Sequence, residues 1–403
     1  MKQIKHAQGG NKMADRKLKV GLIGLGNMGS GHARDLTDMP NVELVGVCDL
    51  IREKADSFAA SCGTTAYYDY KDLFAKSGLK AVVIAVPHFD HTPITIDALG
   101  RGIHVMCEKP VAVHVNDARK MDAAYAEAKK KYPNLIYGLM FMERTYPNYI
   151  KIKDILDSGE LGQLVRATWI NTAWFRSQAY YNSGGWRATW AGEGGGILTN
   201  QCPHNLDMYQ WLFGMPEKIS VFAHIGKYHD IEVEDEVTGY FEHANGMVGH
   251  FIVSTAETPG TNRLEIVGEH GRLIYENGKI TMNRNRMSMF KFLRETPESF
   301  GNVESWYTEI PSQPNIPSPH RRVTERWVDT ILGNGTLIAE GHEGIHSVML
   351  ANAIMLSSYK TQAVTLPLDG NEYEAVLKER ATGSRFVKTV TQVDVDMNKS
   401  FSK

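Results

Sequence analysis

The order of strands and helices predicts an α/β fold, a doubly wound parallel sheet followed by a domain of α+β type. Three observations carry this. Short apolar runs alternate with amphipathic stretches from residue 17 to about 139, and a glycine-rich turn separates the first run from the first helical stretch. Beyond Arg144, apolar runs instead follow one another through hairpin-like turns. The first pattern is that of βα units with parallel strands, and the last is that of a separate α+β domain.

The length of 403 residues fits two domains. With 42% hydrophobic and 22% charged residues and a formal charge of -2, the composition is that of a soluble globular chain without the basic excess of a nucleic-acid binder. Cys48, Cys62, Cys107 and Cys202 are scattered without C-x-x-C spacing, so no metal site or disulfide framework is expected and a reducing cytoplasm fits. No apolar run is long enough to span a bilayer, so no membrane association is expected. Residues 1–16 are polar and lack the apolar core of a signal peptide. They are expected to form a disordered extension.

The first unit is expected over 17–143. Its strands are placed at 18–23, 42–47, 65–67, 81–86, 103–106 and 135–139, with helices at 52–61, 70–76, 93–101 and 116–131. Asn116 is a plausible N-cap of the last helix, and lysines close it, which suits the polarity of a helix. The second unit is expected over 144–388. A helix at 149–156 ends at Ser158-Gly159, and strands follow at 164–174, 218–226, 236–242, 247–255, 263–267 and 272–275. Turns at 242–246 and 267–272 join neighbouring strands. Val237, Tyr240 and Phe241 put apolar side chains on both faces of this sheet, so one face is expected under helices and the other against a second subunit of a homodimer or homotetramer. The polar segment 279–320 reads as a hairpin extension or a loop over the site. Helices at 321–332 and 344–359 are expected to return to a domain face, here the first unit, before a closing strand at 364–367 and a mobile tail over 389–403.

The glycine-rich turn carries the first chemistry. Gly24, Gly26 and Gly29 fit G-x-G-x-x-G between a strand and a helix, and Asp49 follows the second strand, 20 residues beyond Gly29. Together they form the dinucleotide-binding fingerprint of a Rossmann domain: Gly24 for the tight turn, Gly26 for close approach of a pyrophosphate, Gly29 for packing of helix on sheet. The free N–H groups of the first helical turn, from Asn27 and Met28, would hold the anion. Asp49 would accept from both ribose hydroxyls and repel a 2′-phosphate, which predicts NAD over NADP; Arg52, three residues on, keeps NADP possible. Pro87 and His91 follow the fourth strand, and Glu108 and Lys109 follow the fifth, at the carboxyl ends where open α/β sheets bind ligands. Taken alone, Lys109 reads as a solvated loop lysine.

Two segments of the second unit stand out. Residues 174–190 gather Trp174, Arg176, Tyr180, Trp186 and Arg187, aromatic faces and guanidinium groups that suit a sugar ring and equally suit a domain interface. In 194–207, Asn200 and His204 are four apart and His204 and Asp207 three apart, so each pair can share a helical face. His204 could titrate near neutrality; taken alone it reads as a satisfied buried histidine.

The fingerprint, Pro87-x-x-x-His91, Glu108-Lys-Pro110 and the Gly-Gly-Gly to His204-x-x-Asp207 segment, in this order, resemble the Gfo/Idh/MocA family, named for glucose-fructose oxidoreductase and inositol dehydrogenase. The resemblance runs from about 17 to 370. It implies a Rossmann domain, a C-terminal domain on a large open-faced, mostly antiparallel sheet, NAD(P), and oxidation or reduction at a sugar or polyol carbon. It also implies that Lys109 and His204 act on the reacting hydroxyl. Asn200 stands where the family usually has aspartate, so it can bond substrate but carries no charge. On this reading Lys109, His204 and Asn200 are the catalytic candidates, and Arg144 joins the two segments as a substrate-binding candidate. An NAD-dependent sugar dehydrogenase leads; an NAD-dependent glycosidase working through transient oxidation, and a non-catalytic NAD and sugar sensor, are the alternatives.

Overall fold

A computed structural model of the chain describes residues 17–314 and 317–384; the expected extension at 1–16 and the tail at 389–403 lie outside the described residues. The first part runs β1 (Leu18–Ile23), α1 (Asn27–Asp38), β2 (Val42–Cys48), α2 (Arg52–Cys62), β3 (Ala66–Tyr67), α3 (Tyr70–Lys76), β4 (Ala81–Ile84), α4 (His88–Gly100), β5 (His104–Cys107), α5 (Val115–Lys131) and β6 (Tyr137–Leu139). All its strands are parallel, in the order β3-β2-β1-β4-β5-β6. The order reverses between β1 and β4, the switch point at whose carboxyl ends such sheets bind ligands. The strands are buried on both faces, as in Ala81–Ile84, which is why they read as continuous apolar runs. The expected N-cap of α5 is corrected: His114 holds that position, and the Asn116 amide instead bonds Asn371 and Glu374.

The second part runs α6 (Pro147–Asp157), β7 (Leu164–Asn171), α7 (Gln178–Tyr181), α8 (Pro203–Phe213), β8 (Lys218–Ile225), β9 (Glu234–Glu242), β10 (Val248–Ser254), β11 (Asn262–Gly268), β12 (Gly271–Glu276), β13 (Lys279–Asn285), α9 (Met289–Glu295), β14 (Ser305–Ile310), α10 (Pro319–Ile331), α11 (Gly344–Lys360), β15 (Val364–Thr365) and α12 (Gly370–Gly383). Nine strands form one sheet, in the order β14-β13-β12-β11-β7-β10-β9-β8-β15. Every pairing is antiparallel except β7 with β10. Period-two alternation turns Trp169, Val237, Phe241, Phe251 and Leu264 inward, where Tyr209 of α8 meets Phe241 edge-on at 5.1 Å between ring centroids. The opposite face carries exposed Phe222 and Tyr240 beside ion pairs linking Arg166, Glu265, Arg263 and Glu276. Segment 279–314 is a hairpin extension: β13 and β14 lengthen the sheet at its edge, with α9 between them.

Two later helices tie the parts together. Val323, Trp327 and Val328 of α10 are buried in one core with Leu18, Val20 and Met106 of the parallel sheet. Asn352 of α11 takes the Val115 N–H at 2.9 Å and donates to the Val113 carbonyl at 3.1 Å, which stitches α11 to the start of α5.

Candidate active site

The glycine turn fills the switch point between β1 and β4. Gly24 sits at φ +88, where its Cβ, if present, would lie 2.3 Å from the Ala85 carbonyl oxygen, so only glycine fits. Gly29 departs from the expected role. A Cβ there would stand 1.9 Å from the Gly24 carbonyl oxygen, so it is the turn's own backbone, more than the sheet, that demands glycine. Beside Gly26 a Cβ would meet no heavy atom within 4 Å, and Gly26 caps α1 with no side chain competing for its first N–H groups and no acid in the first turn. This open, donor-rich pocket fits the pyrophosphate of a dinucleotide. Asp49 braces the turn: Oδ2 accepts from the Leu25 N–H and Oδ1 from the Ile51 N–H, both at 2.9 Å. The Arg52 guanidinium is stacked over the Tyr68 ring at 4.0 Å.

The two strand-end motifs separate into different jobs. Pro87 starts α4 as its N-cap. His91 is fully buried, and its ring nitrogens face the Pro110 carbonyl at 2.7 Å and the Val86 carbonyl at 2.9 Å. It therefore braces the two loops against each other and offers no ring nitrogen to a ligand, which corrects its expected part in binding. The Glu108 carboxylate accepts from His32 at 2.8 Å and from the Lys109 N–H at 3.1 Å. Burial alone would push the Glu108 carboxyl up, but the hydrogen bond and charge of His32, with His320 and Lys109, hold it at about 2. His320, on the first turn of α10, brings its ring to 6.3 Å from that of His32, so the polar segment before α10 ends beside the His32–Glu108 pair.

Lys109 is no solvated loop lysine. It is half-buried, and its Nζ donates to the Asn200 carbonyl at 2.7 Å, so it crosses from the parallel sheet to the glycine-rich segment of the second part. Burial lowers its pKa; Glu108 and Glu193 oppose the shift, while Arg187 and Arg176 add to it. His204, on the first turn of α8, is buried with no hydrogen-bond partner on either ring nitrogen among the described residues, and its ring meets Phe141 edge-on at 6.4 Å. The expectation of a satisfied core histidine thus fails on satisfaction. A buried ring with two open nitrogens has room in its bonding for a ligand hydroxyl. Burial, then the charges of Lys109 and His320, hold its pKa well below the usual 6.5, so the ring is neutral and the expected titration near neutrality is corrected.

Of the two pairs expected to share a helical face, His204 and Asp207 do lie three apart on α8, whereas Asn200 lies in the turn before it, which corrects the Asn200–His204 pair; Asp207 bonds Arg144 and Gln210. Arg144 is buried, giving Nε and Nη2 to Asp207 at 2.8 and 2.6 Å and Nη1 to Glu343 at 2.5 Å. A guanidinium with Nε, Nη1 and Nη2 all engaged is a strut between the Met142–Thr145 turn, α8 and Glu343, which corrects its expected part in holding the sugar.

Those candidates do converge. Arg176 lies over Trp174 and Tyr180, Arg187 over Tyr180 and Trp186, at 4.5–5.6 Å. Arg187 donates to the Tyr180 hydroxyl at 2.7 Å, Gln201 donates to it at 3.1 Å, and that hydroxyl lies 3.5 Å from Asn200 Oδ1. Trp174 donates to Asn205 at 3.1 Å. His88 of α4 meets Trp186 at 5.9 Å, so the aromatic wall also packs against the first part of the chain. Sequence reasoning missed two acids here. Glu234 takes the Gly196 and Leu198 N–H groups at 2.9 and 3.0 Å and clamps the glycine segment. Glu193, 1% exposed, accepts from the Ala188 N–H at 2.5 Å and from the Asn200 amide. The only signal for Glu193 was an acid interrupting Gly192 to Gly196, which a solvated turn would show equally.

A family model described as an oxidoreductase family with an NAD-binding Rossmann fold matches residues 18–134, and the GFO/IDH/MocA C-terminal domain matches 149–274. Inositol 2-dehydrogenase of Salmonella typhimurium is 34% identical over 149 residues, 36% of this chain and 43% of that protein, so the chain spans less than half of that relative's length. Glucose-6-phosphate 3-dehydrogenase of Bacillus subtilis is 25% identical over 274 residues, 64% of this chain and 75% of that one. Among solved structures, the WlbA dehydrogenase from Chromobacterium violaceum, in complex with NADH and UDP-GlcNAcA, is similar with TM-score 0.74 and 25% identity, covering 88% of this chain and 98% of that one. The strand order, the glycine turn at its switch point and the match of both domains in sequence place the chain in the GFO/IDH/MocA oxidoreductase family.

Proposed function

We propose that the protein is an NAD-dependent oxidoreductase acting on a secondary hydroxyl of a sugar, glycoside or polyol. The observation that carries this is His204, buried with no partner on either ring nitrogen among the described residues and in the field of Lys109, whose Nζ reaches from the end of a dinucleotide-binding strand to Asn200, itself next to the Tyr180–Arg187 pair. Gly24, Gly26, Asn27, Met28 and Gly29 would hold the pyrophosphate, and Asp49 the ribose; Arg52, engaged on Tyr68, favours NAD over NADP. Bound nicotinamide supplies a hydride acceptor. Lys109 stabilises the oxyanion that develops on the reacting hydroxyl, and neutral His204 accepts its proton. Asn200 orients the hydroxyl, and Trp174, Arg176, Tyr180, Trp186 and Arg187 hold the ring. The matched relatives, named for inositol and glucose 6-phosphate, support this substrate class.

We further propose domain limits at 17–143 and 144–388, and a homodimer or homotetramer formed through the sheet face bearing Phe222 and Tyr240. No helix among the described residues is long and apolar enough to cross a membrane, and a cytoplasmic location is proposed. The test is a nicotinamide-absorbance screen of sugars, polyols and glycosides with NAD and NADP in parallel. Lys109→Ala and His204→Ala are each expected to lower turnover by about two orders of magnitude while NADH binding persists. Near wild-type turnover in His204→Ala would move the base elsewhere, and NADH binding without oxidation of any member of the panel would sink the proposal.

A further inference from the structure

We propose that Glu193 is a positioning residue that fixes the direction of the hydrogen bonds at Asn200, so that the Asn200 carbonyl oxygen faces the sugar as an acceptor and the site selects a hydroxyl donor there. The inference rests on the function proposed above and adds a residue and a selectivity to it.

The argument is one of donor and acceptor inventory. An ionised carboxylate only accepts, so the Asn200 amide must turn its NH2 toward Glu193. Its oxygen then points toward Tyr180. The Tyr180 hydroxyl oxygen already receives Arg187 and Gln201, which occupy its two acceptor positions, so its own proton is left to donate to Asn200. The chain runs one way, from the Arg187 cation through Tyr180 and Asn200 to the Glu193 carboxylate. Glu193 is itself locked, since its second oxygen holds the Ala188 N–H. The Lys109 ammonium on the Asn200 backbone carbonyl feels the same carboxylate. A sugar hydroxyl reaching Asn200 Oδ1 therefore meets an acceptor, and a ligand carboxylate or carbonyl there meets repulsion.

Glu193→Gln keeps the shape and removes the direction. The new side-chain oxygen stays on Ala188, its NH2 faces Asn200, and Asn200 must turn over and present donors to the sugar. Asn200→Asp instead sets two carboxylates side by side. Combining the two substitutions restores the order, because the introduced glutamine then donates to the introduced aspartate, whose other oxygen again accepts. Each single variant is expected to lower kcat/KM by about ten-fold or more, mainly through KM, with NADH affinity kept. The double variant is expected to recover to within about three-fold of wild type. Urea denaturation of the same four proteins provides a readout without substrate: Asn200→Asp should cost about ten-fold more in the unfolding constant when Glu193 is present than in the Glu193→Gln background. Additive losses in both cycles would overturn the proposal. If the wild type binds NADH yet oxidises nothing, the oxidoreductase reading falls, and the denaturation cycle alone decides: coupling under about two-fold overturns the role of Glu193, and larger coupling upholds it.

Discussion

Replacing Gly26 by alanine separates folding from cofactor binding, because the structure leaves room for the new methyl group only where the pyrophosphate is expected. Gly26 has φ -72 and ψ -165, backbone angles open to any residue, and its added Cβ meets nothing within 4 Å. Two small effects on stability then oppose each other. Alanine restricts the unfolded chain, worth about 0.4–1 kcal/mol, and is a poorer N-cap than glycine by a comparable amount. Net stability should stay within about 1 kcal/mol of wild type. Binding is a different matter. A methyl group projecting into this open space would hold the pyrophosphate off the start of α1 and cost one or two charge-assisted hydrogen bonds, about 1.5–3 kcal/mol each, so NADH affinity should fall by about 10- to 100-fold or more. Gly29→Ala is the control: its Cβ would strike the Gly24 carbonyl oxygen at 1.9 Å and carbon at 2.8 Å, which are backbone and cannot swing away. That clash should cost about 3 kcal/mol and disorder the turn. Urea denaturation with NADH fluorescence titration distinguishes them. Wild-type NADH affinity in a folded Gly26→Ala protein would refute the placement of the pyrophosphate, and loss of folding in Gly26→Ala would refute the reading of open space.

Arg144→Ala leaves Asp207 buried without its cation and should lower stability by about 3–5 kcal/mol while NADH affinity is kept; a change under about 1 kcal/mol in urea denaturation would contradict the strut. Glu143 is buried, and burial, reinforced by Asp207, lifts its carboxyl from 4.5 to about 8. The folded chain therefore keeps a proton that the unfolded chain releases, so stability declines as pH rises between these values. Glu143→Gln should flatten that decline, visible as urea midpoints at about pH 5 and pH 9, and an unchanged slope would show that Glu143 ionises freely. Asp49→Ser should depress kcat/KM with NAD more than with NADP, since it removes both the ribose acceptor and the repulsion of a 2′-phosphate. A wild type at least as efficient with NADP would discard that assignment.

What the sequence determined alone is what short-range physics controls. A positive φ at Gly24, period-two alternation in β7 and β9, and the run of βα units depend on each residue and its near neighbours, so the parallel sheet, the second sheet and the nucleotide turn were legible. Ordered motifs singled out Lys109, Asn200 and His204 as candidates for the same reason: each sits beside a local signature. Short elements escaped, such as the seven-residue α9, whose Met289, Phe292 and Leu293 are too few to set a period and are not buried, although Asp369 accepting from the Asn371 N–H could have announced α12. Only the tertiary structure decided how charges and hydrogen bonds are shared. Arg144 looked free to bind sugar until Asp207 and Glu343 were brought against it, and His91 looked available until two carbonyls closed on its ring. Lys109 and Asn200 are 91 positions apart, and His32 and His320 are farther still. A polar side chain's role depends on which partner satisfies it once water is removed, and that partner is chosen by the packing of distant segments, which no local pattern records.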